Sequence, residues 1–307
     1  MVDALVDTLE FFPRGLVYVG VGIIVLWLAK LAQEVLTPYR INDQLSQKNN
    51  TALGLSITGY FLGVITVFIG VLYQPLTVIR SDQWQLTGDF WLDVVEVLLY
   101  SVAGILILNA TRIIVDKLVL YKFQTQKEII EDQNTGSGAV EFAVYLAVGL
   151  VIAASIAGTG AGIEGVSDTT LADTIIRSVV FFVLGMTVLI LFSLFYELTT
   201  SFDIHDEIER DNAAVGIALA GNLVAIGLVI FKAVFGEFID WTQSLTAFAT
   251  FAIVGFVLLY IVRIVVDFVL LPGTRVADEL VKSRNKGIAL IESGVVISAA
   301  LILYFAI

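Results

Sequence analysis

The sequence predicts an all-α membrane protein whose eight transmembrane helices form four helical hairpins in two parallel four-helix repeats. Three observations carry this. Hydrophobic residues make up 58% of the 307 and charged residues 15%, against roughly 45–50% and 25% in soluble domains. Apolar segments of about 20 residues, the length that crosses a hydrocarbon core, recur eight times. An asparagine followed by small residues at fixed offsets opens the second helix of every hairpin.

The first element is a short outer interfacial segment, residues 1–14, in which Leu5, Leu9 and Phe12 fall at helical spacing before Pro13. The spans follow at 15–36, 51–74, 92–120, 138–158, 172–198, 213–235, 244–271 and 287–307. Trp84, Trp91 and Trp241 fall at predicted outer boundaries, where an amphipathic ring is favoured. Residues 15–165 form the first four-helix repeat and 166–307 the second. Connections shorter than 20 residues leave no room for a soluble catalytic domain, which needs about 50.

Thirteen of the 17 Lys and Arg lie in or beside connections 1–2, 3–4, 5–6 and 7–8. The positive-inside rule makes those connections cytoplasmic and places both termini outside a plasma (inner) membrane. The outer side is acidic, with Asp82, Asp89, Asp168, Asp173, Glu237 and Asp240 among its residues. Such a rim either concentrates cations at a pore mouth or is a solvated surface.

Several chemistries are excluded. No cysteine is present, so disulfides, thiolate metal sites and cysteine nucleophiles are ruled out. No paired-histidine metal site is possible with a single histidine, His205. Its acidic loop, 203–211, lacks the glycine and spacing of a hard-cation loop and reads as solvated. A non-enzymatic protein without cofactor or metal is expected, and nucleic acid is no partner because no basic patch carries interleaved aromatics.

The repeat is explicit. Asn50, Asn134, Asn212 and Asn285 stand at the entries to the second helices; four positions on are Gly54, Gly138, Gly216 and Ala289, and nine on are Gly59, Ala143, Gly221 and Gly294. The asparagine can cap the first turn, and small residues let helices approach closely in lipid. The second and fourth hairpins share RIIVD (112–116) and RIVVD (263–267), whereas the first and third share Glu34 and Glu197 followed by an I-x-D triplet. The chain is an A-B-A-B tandem. Each half has an even number of spans, so the pseudo-symmetry axis lies along the membrane normal.

Thr37-Pro38, Asn49-Asn50-Thr51-Ala52, Gly59 and Gly63, with Arg263 and Asn285, resemble the bacterial membrane family called domain of unknown function 350. The resemblance spans nearly the whole chain and implies a tandem fusion of two four-span inner-membrane proteins. It implies no particular chemistry.

Ionisable residues inside spans are costly and are functional candidates by default. Arg112 and Asp116 share a helix face, as do Arg263 and Asp267. Glu141 and Glu292 lie seven residues past their capping asparagines, about 10 Å into the next helix. Two clusters are expected, Arg112-Asp116-Glu141 and Arg263-Asp267-Glu292, each with two carboxylates against one cation. The surplus carboxylate either holds a proton or binds a cation, or the cluster is a salt-bridge clamp on the hairpin. Asn109 and Asn222 lie deeper, as hydrogen-bonding glue between helices.

Two functions are compatible with this reading. One is ion-conducting or ion-coupled transport of small cations or protons through the clusters. The other is a membrane scaffold or membrane-stress component that assembles with partner proteins, or with a second copy, in the bilayer.

Overall fold

In lipid every backbone N–H and C=O must find a partner within the protein, and long apolar runs meet that demand as helices. The computed structural model describes residues 2–78, 88–118, 125–160, 171–236, 238–271, 273 and 275–306, and among them there is no strand. Eight helices are long and apolar enough to span a bilayer.

The first hairpin is α1 (Val2–Leu36), the short α2 (Ile41–Ser46) and α3 (Thr51–Val78). The second is α4 (Gly88–Leu118), α5 (Thr125–Ile130) and α6 (Thr135–Gly160). The third is α7 (Leu171–Thr199), α8 (Ile204–Glu209) and α9 (Ala213–Val234). The fourth is α10 (Trp241–Val265), which widens into a π-helical turn at Val266–Leu270, then α11 (Val276–Val281) and α12 (Lys286–Ala306).

Helix α1 runs unbroken through Pro13 instead of dividing into a surface helix and a span. A proline removes one N–H and kinks a helix, yet the apolar period of Leu5, Leu9 and Phe12 continues into the span. Trp84 and, of the predicted acidic rim, Asp82, Asp168 and Glu237 lie outside the described residues, and only the backbone of Asp89 is described.

The second helices, α3, α6, α9 and α12, form a central row, each packed against the next, with α1, α4, α7 and α10 flanking it. In the spans of α6 and α9, 83% of the membrane-crossing window is buried inside the protein, against 22–33% for the flanking spans. The middle of the row is the core; α3 (56%) and α12 (33%) end it and, like the flanking helices, expose more of their length.

Glycine sets the closeness of the row. A methyl group on Gly59 would collide with the backbone of Phe142, and one on Gly138 with that of Ala52. On Gly70 it would lie 2.8 Å from Ala153 Cα, on Gly149 2.6 Å from Gly63 Cα and on Gly227 2.9 Å from Ala147 Cα. Gly216 meets Gly136, and Gly221 meets Ser293, whose Oγ donates to the Ile217 carbonyl at 2.9 Å. Dispersion between touching backbones replaces the hydrophobic driving force that lipid cannot supply.

Candidate functional site

The four short helices lie at one end of the bundle, and each closes on the same corner. Asn49, Gln133, Asp211 and Arg284 have φ of 53°, 54°, 59° and 48°, and each immediately precedes a motif asparagine. This left-handed residue turns the chain so that the N–H of the asparagine reaches back to the carbonyl of the fourth residue of the short helix. The bonds are Asn50 to Gln44 (3.1 Å), Asn134 to Glu128 (2.8 Å), Asn212 to Glu207 (3.0 Å) and Asn285 to Glu279 (2.9 Å), a Schellman-type ending.

Each asparagine Oδ1 then caps the following helix, accepting from Leu53, from Ser137, from Ala214 and Val215, and from Gly287 and Ile288. The amide works outward. Asn50 Nδ2 donates to the Ile129 carbonyl at 2.8 Å, Asn134 Nδ2 to the Ile208 carbonyl, and Asn212 Nδ2 to the Leu280 carbonyl at 2.9 Å. Every acceptor is the fifth residue of the next hairpin's short helix. The second amide hydrogens of Asn134 and Asn212, and one amide hydrogen of Asn285, go to Glu128, Glu207 and Glu279 of their own hairpins. Burial pushes the Glu128 carboxyl above the usual range, although its bond from Asn134 works in the opposite direction.

Deeper in the second half, Arg263, Asp267 and Glu292 line one cavity of about 20 Å³ with Val266, Val276, Ala277 and Leu280, room for one water. They do not form a salt-bridge clamp. Arg263 Nη2 donates to Thr200 Oγ1 at 3.0 Å, and its guanidinium lies 4.6 Å from the centre of the buried Tyr196 ring. Asp267 accepts from the Val276 N–H at 3.2 Å and so holds the start of α11. Glu292 is 1% exposed, and its Oε2 has no hydrogen-bond partner. The charges acting on it are Arg263 and Asp267, with the Asn222 amide beside them. Arg263 and Asp267 thus open onto one cavity, as their i, i+4 spacing expects, but each takes a different partner.

In the first half Glu141 is 2% exposed on α6, whereas the side chains of Arg112 and Asp116 lie outside the described residues. Above that level sits a neutral network absent from the sequence reading except for Asn109. Gln33 Nε2 donates to Asn109 Oδ1 (3.0 Å) and Tyr145 Oη (3.1 Å), Asn109 Nδ2 to Tyr60 Oη (2.9 Å), and Tyr60 Oη to the Ala29 carbonyl (3.2 Å). It joins α1, α3, α4 and α6. Gln33, Tyr60 and Asn109 occupy the repeat positions of Tyr196, Asn222 and Tyr260. Aligning the repeats beyond their small residues exposes these polar positions. Asn222 donates one amide hydrogen to the Ala218 carbonyl of its own helix at 2.9 Å.

His205 is 5% exposed, not solvated, and its Nδ1 lies 3.2 Å from Glu197 Oε1. Ligand atoms of Glu197, Asp203 and His205 fall within 4.8 Å of one another; Asp203 also caps α8 through the N–H groups of His205 and Asp206. At the opposite end of the bundle, a larger cavity of about 260 Å³ is walled by Phe181, Phe235, Phe238 and Phe251 and carries Lys232.

Eight apolar helices in two like halves, stitched hairpin to hairpin, define a multi-pass membrane protein built by tandem repetition. The chain belongs to the family Domain of Unknown Function (DUF350), which it matches twice, over residues 7–156 and 170–307. It is similar to a UPF0719 transmembrane protein of Aquifex aeolicus (strain VF5), with 25% identity over 264 residues, 86% of this chain and 88% of the relative. No solved structure matches the chain.

Proposed function

We propose that this is a non-enzymatic, ion-coupled transport protein that moves protons or a small cation, with Glu292 as the carrying group. The observation behind this reading is a carboxyl oxygen without a partner, 1% exposed in an apolar helix and facing a cavity shared with Arg263 and Asp267. A carboxylate so placed gains by taking up a proton or cation. Arg263 is held back by Thr200 and Tyr196, so it tempers the charge of Glu292 without pairing with it. Space for about one water favours a proton or a dehydrated ion over a larger solute. Glu141 is the counterpart in the first half. The protein would work in a plasma membrane, its short helices cytoplasmic and both termini outside.

The test is ion flux into liposomes containing the purified protein, scanning protons, sodium, potassium, magnesium and calcium, beside Glu292→Gln, Glu141→Gln and the double variant. Flux should fall at least tenfold in Glu292→Gln, with helix content unchanged. Absence of flux for every ion from folded protein would overturn the proposal in favour of a scaffold.

A further inference from the structure

The contacts between successive hairpins repeat the same operation. The amide of the motif asparagine reaches the fifth residue of the next short helix, from Asn50 to Ile129, Asn134 to Ile208 and Asn212 to Leu280. The residue four beyond the asparagine faces the residue two beyond the preceding one, as Gly138 faces Ala52 and Gly216 faces Gly136. The residue nine beyond faces the residue eight beyond the next asparagine, as Gly59 faces Phe142 and Gly221 faces Ser293.

Both ends of the row are uncovered in the same terms. Asn285 Nδ2 has Glu279 as its only acceptor among the described residues. A Cβ on Gly294 would meet nothing within 4 Å, and one on Gly287 only Oδ1 of Asn285. At the other end, a Cβ on Gly54 would meet only Leu45 of its own hairpin, at 3.9 Å. Leu45, fifth residue of α2, is 36% exposed, whereas Ile129, Ile208 and Leu280 are at most 2% exposed.

We propose that these two ends are one interface cut in half, and that a second copy of this chain docks head-to-tail, its α2–α3 corner on the α12 face of the first. Asn285 would donate to the Leu45 carbonyl of the next copy, Gly287 would face Gly54, and Gly294 would face Thr58. The occupant is a copy because continuity with three interfaces inside the chain specifies it: each missing group is one that the other end presents at matching spacing. Such a heterologous contact leaves an unfilled site on each added copy, so the assembly grows until it closes as a ring or continues as a filament.

The chain contains no cysteine, so introduced thiols report cleanly. Thr58→Cys and Gly294→Cys are expressed separately and together, and intact membranes are oxidised. A covalent dimer is expected only when both singly substituted chains are present, and the double variant should give a ladder of higher species. Dimers from Gly294→Cys alone would indicate a two-fold contact and overturn the proposal, as would the absence of adducts in the mixture. Gly294→Trp adds bulk where a Cβ meets no other described residue of its own chain, so it should keep native helix content while particle mass in lipid nanodiscs drops to one chain. A Gly294→Trp particle of unchanged multi-chain mass would also overturn the interface.

Discussion

Asn212 holds two hairpins at once: its Oδ1 accepts from the Ala214 and Val215 N–H groups, and its Nδ2 donates to the Leu280 carbonyl, 68 residues along the chain. Asn212→Ala loses the cap, about 1 kcal/mol, and leaves a buried carbonyl unpaired, about 1–3 kcal/mol more. Asn212→Ser keeps a capping oxygen and loses the amide, without adding a charge beside Glu207. Thermal unfolding in detergent should therefore rank wild type above Asn212→Ser above Asn212→Ala. Asn285→Ala should cost only about 1 kcal/mol in the isolated chain. Equal losses at both positions would remove the link as a stabilising contact.

The left-handed residue before each asparagine provides a second test. A non-glycine residue in this conformation costs about 1–2 kcal/mol, and Asn and Asp bear it best. Gln133→Gly and Arg284→Gly should therefore raise stability or leave it unchanged, because glycine's larger unfolded-state entropy offsets part of the gain. Gln133→Val, β-branched, should lower it. Melting temperatures of the three variants check the order.

Glycines of the row differ sharply from those elsewhere. Gly59→Ala and Gly138→Ala place a methyl group into the backbones of Phe142 and Ala52, and each should cost about 1–3 kcal/mol by overpacking. Gly20→Ala meets nothing within 4 Å and should be neutral or better. Resistance to unfolding in dodecyl sulfate separates the two groups.

Glu128 ties stability to pH. Its carboxyl is raised by burial, so the folded protein binds this proton more tightly than the unfolded chain. That contribution is full below the unfolded value, about pH 4.3, and is lost as pH rises through the folded value. Glu128→Gln keeps an oxygen for the Asn134 amide and removes the titration. Stability of the variant relative to wild type should therefore rise as pH increases through that window. A constant difference from pH 4 to 8 would exclude Glu128 as the source.

Much of the fold was legible in one dimension, because lipid makes span length and apolarity decisive. The motif asparagines were readable as caps, since capping is local. Their outward amides were not, because a bond from Asn134 to Ile208 depends on how hairpins stack and leaves no trace in spacing. The clusters were half legible. Helical period and hairpin geometry bring Arg263, Asp267 and Glu292 to one cavity, but the competing partners, Thr200 and Tyr196 for Arg263 and the Val276 N–H for Asp267, decide how they bond. Buried Gln33 and Tyr145 are not legible as partners in the sequence, because a single polar residue in an apolar run shows its partner only in three dimensions.

The direction of the asparagine links bears on biosynthesis. Each donor lies upstream of its acceptor, so the outward hydrogen of each amide finds its partner only when the following hairpin leaves the ribosome. Hairpins are thereby latched in the order in which they are translated, and each one templates the docking of its successor. A nascent chain stalled after α9 and before α11 would hold the Asn212 corner capped but without the Leu280 carbonyl that its outward hydrogen needs.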